Sequence, residues 1–445
     1  MFSYRHAFHA GNHADVLKHA ILVAILKHLA QKDKAFWVFD THAGAGEYRL
    51  DAAQARKNAE HRGGIVALWS EKALPPLLAD YRLAVARFGI AHHERAEREQ
   101  LRREGKISAA EAPVGDVVGA GDEGGRAADV PPLPSGPNES SCAVGTSLST
   151  ETRLQQRLAS GRLFQSLPVM YPGSPALALQ FMRPQDRMRC FEAHPNEIRV
   201  LQRNLSWAGR RLQIFGEDGF DGLKALLPPV SRRGMVLIDP SYEDKRDYAR
   251  ARRTLLEALE RFATGTMVLW YPLVRRREAA LLMEQIHRLP AGDWLDVRLQ
   301  VCRPPEDGHG LYGSGMFVIN PPYTLAEQLK RAMPVLQRLL GQDASAGWLM
   351  TTSADAPRGA PVQAESRVGR RLDRSPLARE RMPATDGRLR SGRRGPGAAD
   401  GRSGALGRTG GSGAEQGVRG ASHAPQRLQR PGQAPRTRGR KKPAS

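Results

Sequence analysis

Met235-Val236-Leu237-Ile238-Asp239-Pro240-Ser241-Tyr242 is the stretch of this chain whose residue types and spacing best suit chemistry. An apolar run ends abruptly in an acid, a proline and, two residues on, an aromatic ring. Such a run closed by Asp-Pro reads as a buried strand stopping at a turn. In open α/β sheets the loops at the carboxyl ends of strands are where ligands bind. Asp239 offers two acceptor oxygens, Pro240 fixes the turn and leaves its carbonyl free, and Tyr242 supplies a flat face. The set suits an exocyclic amine on a planar ring, with two acceptors for the N–H bonds and a ring to stack on. An ordinary strand-to-loop turn would carry the same residues, and short motifs misfire often.

Other positions converge on the same kind of site. Phe36-Trp37-Val38-Phe39-Asp40-Thr41-His42-Ala43-Gly44-Ala45-Gly46 is a buried strand running into a loop with two glycines, which permit φ > 0 and a close backbone approach to a ligand. A dinucleotide fingerprint would want a third glycine where Arg49 stands, which disfavours NAD. Three later strands end in acids, at Glu192, Asp218 and Asp239. An acid at the second strand end is placed to bind ribose hydroxyls, and Asp218 before Gly219 could accept from an adenine amino group. A helix N-cap is the alternative for each of them. His6, His9, His13 and His19 are unevenly spaced and lack a Cys or acidic cluster, so no metal site is expected. Asn320-Pro321-Pro322-Tyr323 is a second, cleaner copy of the Asp239 motif. It follows the last strand and precedes the final helix, where Pro-Pro reads as a turn or helix start. Order along the chain therefore favours Asp239.

The elements that must position these groups alternate regularly. Strand patterns occupy 35–40, 187–193, 211–217, 234–240, 265–271, 294–301 and 313–321, with helices at about 15–31, 176–182, 195–207, 219–227, 244–262, 273–288 and 325–340. The last two strands are joined by a Gly-rich loop without a helix, which favours an antiparallel pair. Residues 51–90 read as a helical excursion. Residues 91–167 carry charge runs and Gly/Pro/Ser-rich sequence and read as a disordered insertion. Everything beyond 341 reads as a disordered tail.

The formal net charge is +21. The tail from Gln342 holds 21 Lys and Arg against 8 Asp and Glu, so +8 remains for residues 1–341. A basic chain is drawn to polyanions such as nucleic acid, although a basic tail is also a common solubilising device. Cys142, Cys190 and Cys302 form neither a disulfide framework nor a zinc pattern. No apolar run approaches the roughly 20 residues that span a bilayer, and the N-terminus lacks an apolar signal core. A soluble cytoplasmic protein with no membrane partner is expected.

Asp239-Pro240-Ser241-Tyr242 resembles the Asp/Asn-Pro-Pro-aromatic motif of adenine-N6 methyltransferases, with Ser241 at the second proline. Asp40-Thr41-His42-Ala43-Gly44-Ala45-Gly46 resembles the D-x-x-x-G-x-G loop of S-adenosylmethionine-dependent methyltransferases. The segment Ser3-Tyr4-Arg5-His6…Asn12-His13-Ala14-Asp15-Val16-Leu17-Lys18-His19, with Tyr171-Pro172-Gly173-Ser174-Pro175 and Pro228–Gly234, is similar to the bacterial ribosomal RNA large subunit methyltransferase J family. The matches span 1–90 and 168–341. The resemblance implies an α/β fold: a seven-stranded Rossmann-like S-adenosylmethionine-dependent methyltransferase sheet with a small helical insertion subdomain (51–90) and long disordered segments. Residues 1–50 would supply the substrate and cofactor segment and the first strand, and 168–341 the remainder of the domain.

The resemblance further implies S-adenosyl-L-methionine as cofactor, with His19, His42, Ser174, Glu192, Asp218, Gly219 and Asp239 as its contacts. Tyr4 would lie beside the target adenine, with His6 and Lys18 close to it, and Tyr242 would be the stacking platform. Asp239 would be the catalytic acceptor. The implied partner is 23S ribosomal RNA, naked or in an early assembly intermediate. Ser241 implies a less rigid loop. A DNA-adenine or protein-amide methyltransferase, and a non-catalytic RNA-binding protein, are the competing readings. A DNA enzyme would want a target-reading domain, for which 91–167 is a poor candidate.

Overall fold

The structure, a computed structural model, describes residues 6–106, 149–308 and 310–355. Its strands are β1 (Trp37–Asp40), β2 (Glu47–Arg49), β3 (Met170–Pro172), β4 (Arg187–Phe191), β5 (Leu212–Phe215), β6 (Gly234–Ile238), β7 (Thr266–Leu273), β8 (Trp294–Gln300), β9 (Gly313–Ile319) and β10 (Gly347–Thr352). Its α-helices are α1 (His13–Ala30), α2 (Ala53–Asn58), α3 (Ile65–Trp69), α4 (Pro76–Arg103), α5 (Thr150–Ala159), α6 (Ser174–Leu179), α7 (Pro195–Asn204), α8 (Gly219–Leu226), α9 (Arg246–Arg261), α10 (Arg277–Ile286) and α11 (Leu325–Leu340).

The main sheet runs β10-β8-β9-β7-β6-β1-β4-β5. β1 pairs in parallel with both β4 and β6, with Trp37 opposite Arg187 and Gly234. The chain builds outward from β1 through β4 and β5, then returns to β1's other side for β6 and β7. The crevice outside the carboxyl ends of β1 and β6 is thus the switch point of the sheet, where ligands bind in such folds. β9 lies antiparallel between β7 and β8, as the helix-free loop between β8 and β9 predicts.

An eighth strand joins the seven expected from sequence. β10 pairs antiparallel with β8, so residues 342–355 belong to the fold and not to a structureless tail. Trp348-Leu349-Met350-Thr351-Thr352 is rich in strand formers, but it pairs on one side only and buries little of itself. That is why no alternation marks it.

Apolar cores lie on both faces of the sheet. Met235, Leu237 and Met316 belong to one core with α1, α4, α6 and α11. Phe39, Val236, Ile238 and Phe317 belong to the other with α8, α9 and α10. α1 is apolar almost all round and lies buried, as such a helix must.

The excursion from the sheet leaves after β2 and returns at β3, which pair antiparallel; the Leu50 amide donates to the Val169 carbonyl beside them. The reading of 91–167 as disordered is corrected at both ends. α4 continues to Arg103, and Thr150–Ala159 is helical. The charge run that suggested disorder continues the helix, with Glu94 buried, Arg95 stacked on Trp207 and Glu97 and Glu99 exposed. Arg98 faces Glu94 and Arg103 faces Glu99 one turn away, while Arg153 of α5 reaches Glu94 and Glu97 of α4. Residues 107–148 and the tail beyond 355 lie outside the described residues.

Candidate active site

Asp239 stands at the end of β6 with its side chain 14 % exposed. Its Oδ2 accepts from Lys18 Nζ at 2.7 Å, across 221 residues of sequence. Lys18 also meets Asp15 Oδ1 at 2.9 Å. Asp15 Oδ2 in turn lies 2.9 Å from His6 Nε2 and accepts from the Gly11 amide at 2.8 Å. The row Asp239–Lys18–Asp15–His6 is therefore continuous. Burial alone would discharge Lys18, but the Asp15 and Asp239 carboxylates outweigh it and hold its pKa well above the usual range. Burial likewise pushes Asp15 up, and it is overruled by His6 and Lys18, so Asp15 stays ionised well below the usual carboxylate range. At Asp239 burial outweighs the pull of Lys18 and His6 and raises its pKa.

The first two turns of α1 carry Asp15 and Lys18, and His6 lies on a 3-10 turn that precedes it. Asn12 caps α1, accepting from the Ala14 and Asp15 amides at 3.0 Å each. Its side-chain amide donates to Glu60 at 3.0 Å, and His9 also binds Glu60. The helical excursion therefore clamps the segment that presents His6, Asp15 and Lys18.

Beside Asp239, Asp40 ends β1. Its Oδ2 accepts from Ser174 Oγ at 2.6 Å and its Oδ1 from the His42 amide at 3.2 Å. Burial, with the Asp239 charge adding to it, pushes the Asp40 pKa up to about 6. His42 packs edge-on against Phe220 and shares a hydrogen bond with Thr41 Oγ1 at 2.7 Å; burial lowers its pKa to about 4. Gly44 and Gly46 both have positive φ, +59 and +77. The left-handed backbone at Gly44 favours glycine, and a Cβ there would press on the Tyr48 hydroxyl at 2.3 Å. Glu192 binds the Gly44 and His194 amides at 2.9 and 2.7 Å, and burial raises its pKa despite those bonds. Asp218 caps α8 through the Phe220 amide at 2.9 Å and pairs with Arg250 at 2.8 Å. Gly219 packs so tightly that a Cβ would lie 2.1 Å from the Thr41 carbonyl.

His19 lies deeper. Its Nδ1 is 2.9 Å from the Tyr171 hydroxyl, which is 2.7 Å from that of Tyr81. Burial lowers its pKa to about 3, so the ring is neutral. Its Nε2 is buried with no hydrogen-bond partner, though it stands 4.0 Å from Asp15.

Of the residues singled out in the sequence, Lys18, His6 and Asp239 join one row, and His42, Ser174 and Glu192 line the adjoining strand ends with Asp218 and Gly219. Two stand apart. Tyr4 lies outside the described residues. Tyr242 contradicts the stacking expectation. It is 2 % exposed, its hydroxyl donates to the Trp270 carbonyl at 2.9 Å, and its ring packs against Tyr248 and Trp270. The backbone at Tyr242 is left-handed, φ +54, and this turns the side chain inward. Tyr242 anchors the loop instead of offering a face. The Ser241 hydroxyl adds a long contact, 3.5 Å, to the Glu243 amide. Asp15 and Asp40 are the residues sequence reasoning passed over. Asp40 was legible as the acid that opens the glycine loop, whereas Asp15 read only as a helix start.

The second copy, at Asn320, sits on the other edge of the sheet. Because β9 runs antiparallel, its end lies beside the start of β7. Asn320 Nδ2 donates to the Ala263 and Gly265 carbonyls at 2.8 and 2.7 Å, and its own carbonyl accepts from Thr266 Oγ1 at 3.0 Å. Tyr323 is 85 % exposed. Among the described residues no group of three His, Cys, Asp or Glu side chains is placed to hold a metal ion.

A doubly wound sheet with an acid-led glycine loop at β1 and an Asp-Pro turn at β6 defines the Rossmann-like S-adenosylmethionine-dependent methyltransferase class. The residues present fit that cofactor, since two glycines at positive φ shape the loop after β1 and buried His19 Nε2 has no hydrogen-bond partner. The family model of "Ribosomal RNA large subunit methyltransferase D, RlmJ" matches residues 33–96 and 164–351. The ribosomal RNA large subunit methyltransferase J of Haemophilus influenzae is 33 % identical over 348 residues, 78 % of this chain and 97 % of that protein. That of Escherichia coli K12 is 33 % identical over 340 residues, 76 % and 94 %. The crystal structure of protein LPL1258 from Legionella pneumophila superposes with a TM-score of 0.54 at 25 % identity, covering 77 % of this chain and 98 % of that one. The chain belongs to the RlmJ family of ribosomal RNA large subunit methyltransferases.

Proposed function

We propose that this methyltransferase modifies the exocyclic N6 of an adenine in 23S ribosomal RNA. The observation that carries the reading is the Asp239 carboxylate, desolvated at the switch point and held by Lys18 through one oxygen only. Its Oδ1 remains to accept from an amino group, with the Pro240 carbonyl beside it.

Adenine N6 is a weak nucleophile because its lone pair is delocalised into the ring. Hydrogen bonds from N6–H to Asp239 and Pro240 localise that pair, and holding the amine in line supplies much of the acceleration. S-adenosylmethionine, when bound, supplies an electrophilic methyl group. Gly44, Gly46, Glu192, His42, Ser174, Asp218, Gly219 and His19 form its cradle in this reading. As N6 becomes cationic, the Asp239 carboxylate stabilises it, and the raised pKa of Asp239 suits it to take the departing proton. Lys18, itself fixed by Asp15, sets the Asp239 rotamer. His6, at the far end of the row, lies on the substrate side, the role that the family resemblance implies for Tyr4 as well.

A carboxylate only 14 % exposed is reached by a base swung out of its stack. Single-stranded or loosely folded RNA offers such bases most cheaply, which favours naked 23S RNA or an early assembly intermediate in the cytoplasm. No described helix is long and apolar enough to cross a membrane. Radiolabelled methyl transfer to deproteinised ribosomal RNA, mature subunits and duplex DNA tests the reading. Label should enter the RNA as N6-methyladenine. Label in DNA alone, or in another base, would sink it.

A further inference from the structure

Beyond the reaction centre, the turn between β7 and α10 holds three successive arginines, Arg275, Arg276 and Arg277, all exposed. Cations are misplaced there. The amino end of a helix carries the positive end of its dipole, and α10 opens on Arg276 as an N-cap with no side-chain capping bond. The one acid of its first turn, Glu278, is shared with Lys245 at 3.9 Å. Other cations on this edge have carboxylates: Arg246 pairs with Asp244, and Arg250 with Asp218 and Asp221. Among the described residues none of the three arginines has an ion pair.

Their position is equally specific. Ile238, the last residue of β6, pairs with Leu269, and β7 continues four residues further to Leu273. That extension is roughly 13 Å at about 3.3 Å per residue, so the arginines stand outward from the Asp239 loop, on its mouth. Arg276 is tied to that loop, donating to the Tyr242 carbonyl at 3.3 Å. Arg275 and Arg277 are uncommitted.

We infer that Arg275 and Arg277 form a phosphate-docking rim for the RNA strand flanking the target base, with Arg276 linking the rim to the Asp239 loop. A base delivered to Asp239 leaves its sugar-phosphate backbone outside the crevice, on the side where β7 carries these cations. Guanidinium groups suit phosphate oxygens by bidentate geometry. The anion also relieves the clash between three cations and the helix terminus.

The inference rests on the RNA reading above, and one experiment separates the two. The full chain, its Arg275→Ala/Arg277→Ala variant and its Arg275→Lys/Arg277→Lys variant are compared for binding to deproteinised 23S RNA across a KCl series. Methyl transfer and S-adenosylmethionine binding are followed alongside. Two lost phosphate contacts should flatten the log–log salt slope by about 1.4 and raise the KM for RNA about tenfold. The kcat at saturating RNA should stay within about twofold and cofactor binding should be unchanged. The lysine variant should keep most of the slope. An alanine variant with wild-type slope and KM overturns the rim; so does one whose loss lies wholly in kcat. Wild-type protein that methylates no RNA adenine would overturn the functional reading instead.

Discussion

Asp239-Pro240-Ser241-Tyr242 and Asn320-Pro321-Pro322-Tyr323 are nearly the same tetrapeptide placed at opposite edges of one sheet. Both follow a fully buried strand, and both include a left-handed residue, Tyr242 at φ +54 and Asn320 at φ +52. Their polar groups have opposite fates. Asn320 gives its side-chain amide protons to two carbonyls and its backbone carbonyl accepts from Thr266, so its donors are committed to the surrounding backbone. Asp239 meets one cation through one oxygen and keeps acceptor capacity in a dry crevice. The aromatic residues invert as well, with Tyr242 buried and Tyr323 exposed. Strand direction, and not motif quality, separates the turn we propose as reactive from the structural one. β6 runs parallel to β1 and delivers its end to the switch point, whereas β9 runs antiparallel and delivers its end to the far edge.

The largest test of this contrast is Asp239→Ala. It should lower kcat for methyl transfer by roughly three orders of magnitude while RNA binding persists, as measured by single-turnover assay and titration. Substantial activity in that variant would erase the distinction between the two turns.

The next test concerns the electrostatics of the reactive edge. Burial holds the Asp40 pKa at about 6, above the ordinary carboxylate value of 3.8. A raised folded value means that the unfolded chain releases the proton first. The Asp40 contribution to stability is then greatest below about pH 4 and falls as pH rises through about 6. The expected loss is roughly 3 kcal/mol over that window. Urea unfolding from pH 4 to 6.5 should show this component in the parent and not in Asp40→Asn. A variant with the same pH slope as the parent would move the stored repulsion elsewhere.

The smallest effect belongs to the quiet edge. Asn320→Ala removes two hydrogen bonds and places alanine at positive φ, which should cost about 2 kcal/mol of stability. The kcat should not change. A selective loss of turnover without loss of stability would mean that the second copy does chemistry after all.

Much of the molecule was legible because it is written locally. The apolar runs that become β1, β4, β5, β6, β7, β8 and β9, and the acids that close them, follow from patterning over a few residues. Their order placed Asp239 at the switch point. Two long glycine-bearing loops and the N-terminal segment pointed to a methyl-donor site and an RNA substrate. The misreadings have local causes too. The Glu/Arg run after residue 90 has the composition of a disordered chain but the spacing of a helix face, and β10 pairs along one edge only.

Other features belong to the tertiary structure alone. The Lys18–Asp239 ion pair joins groups 221 residues apart, and no periodicity encodes which cation meets which acid. The ionisation of Asp15, Asp40 and Asp239 depends on how much water burial removes and which charges remain nearby, quantities that exist only after the layers close. Tyr242 shows the same limit. Its type and position suggested a platform for a base, and a single left-handed backbone angle turned it into the core. Strand order is determined by the sequence through hydrophobic pattern and chain direction. The protonation and orientation of the groups at the strand ends are determined by packing.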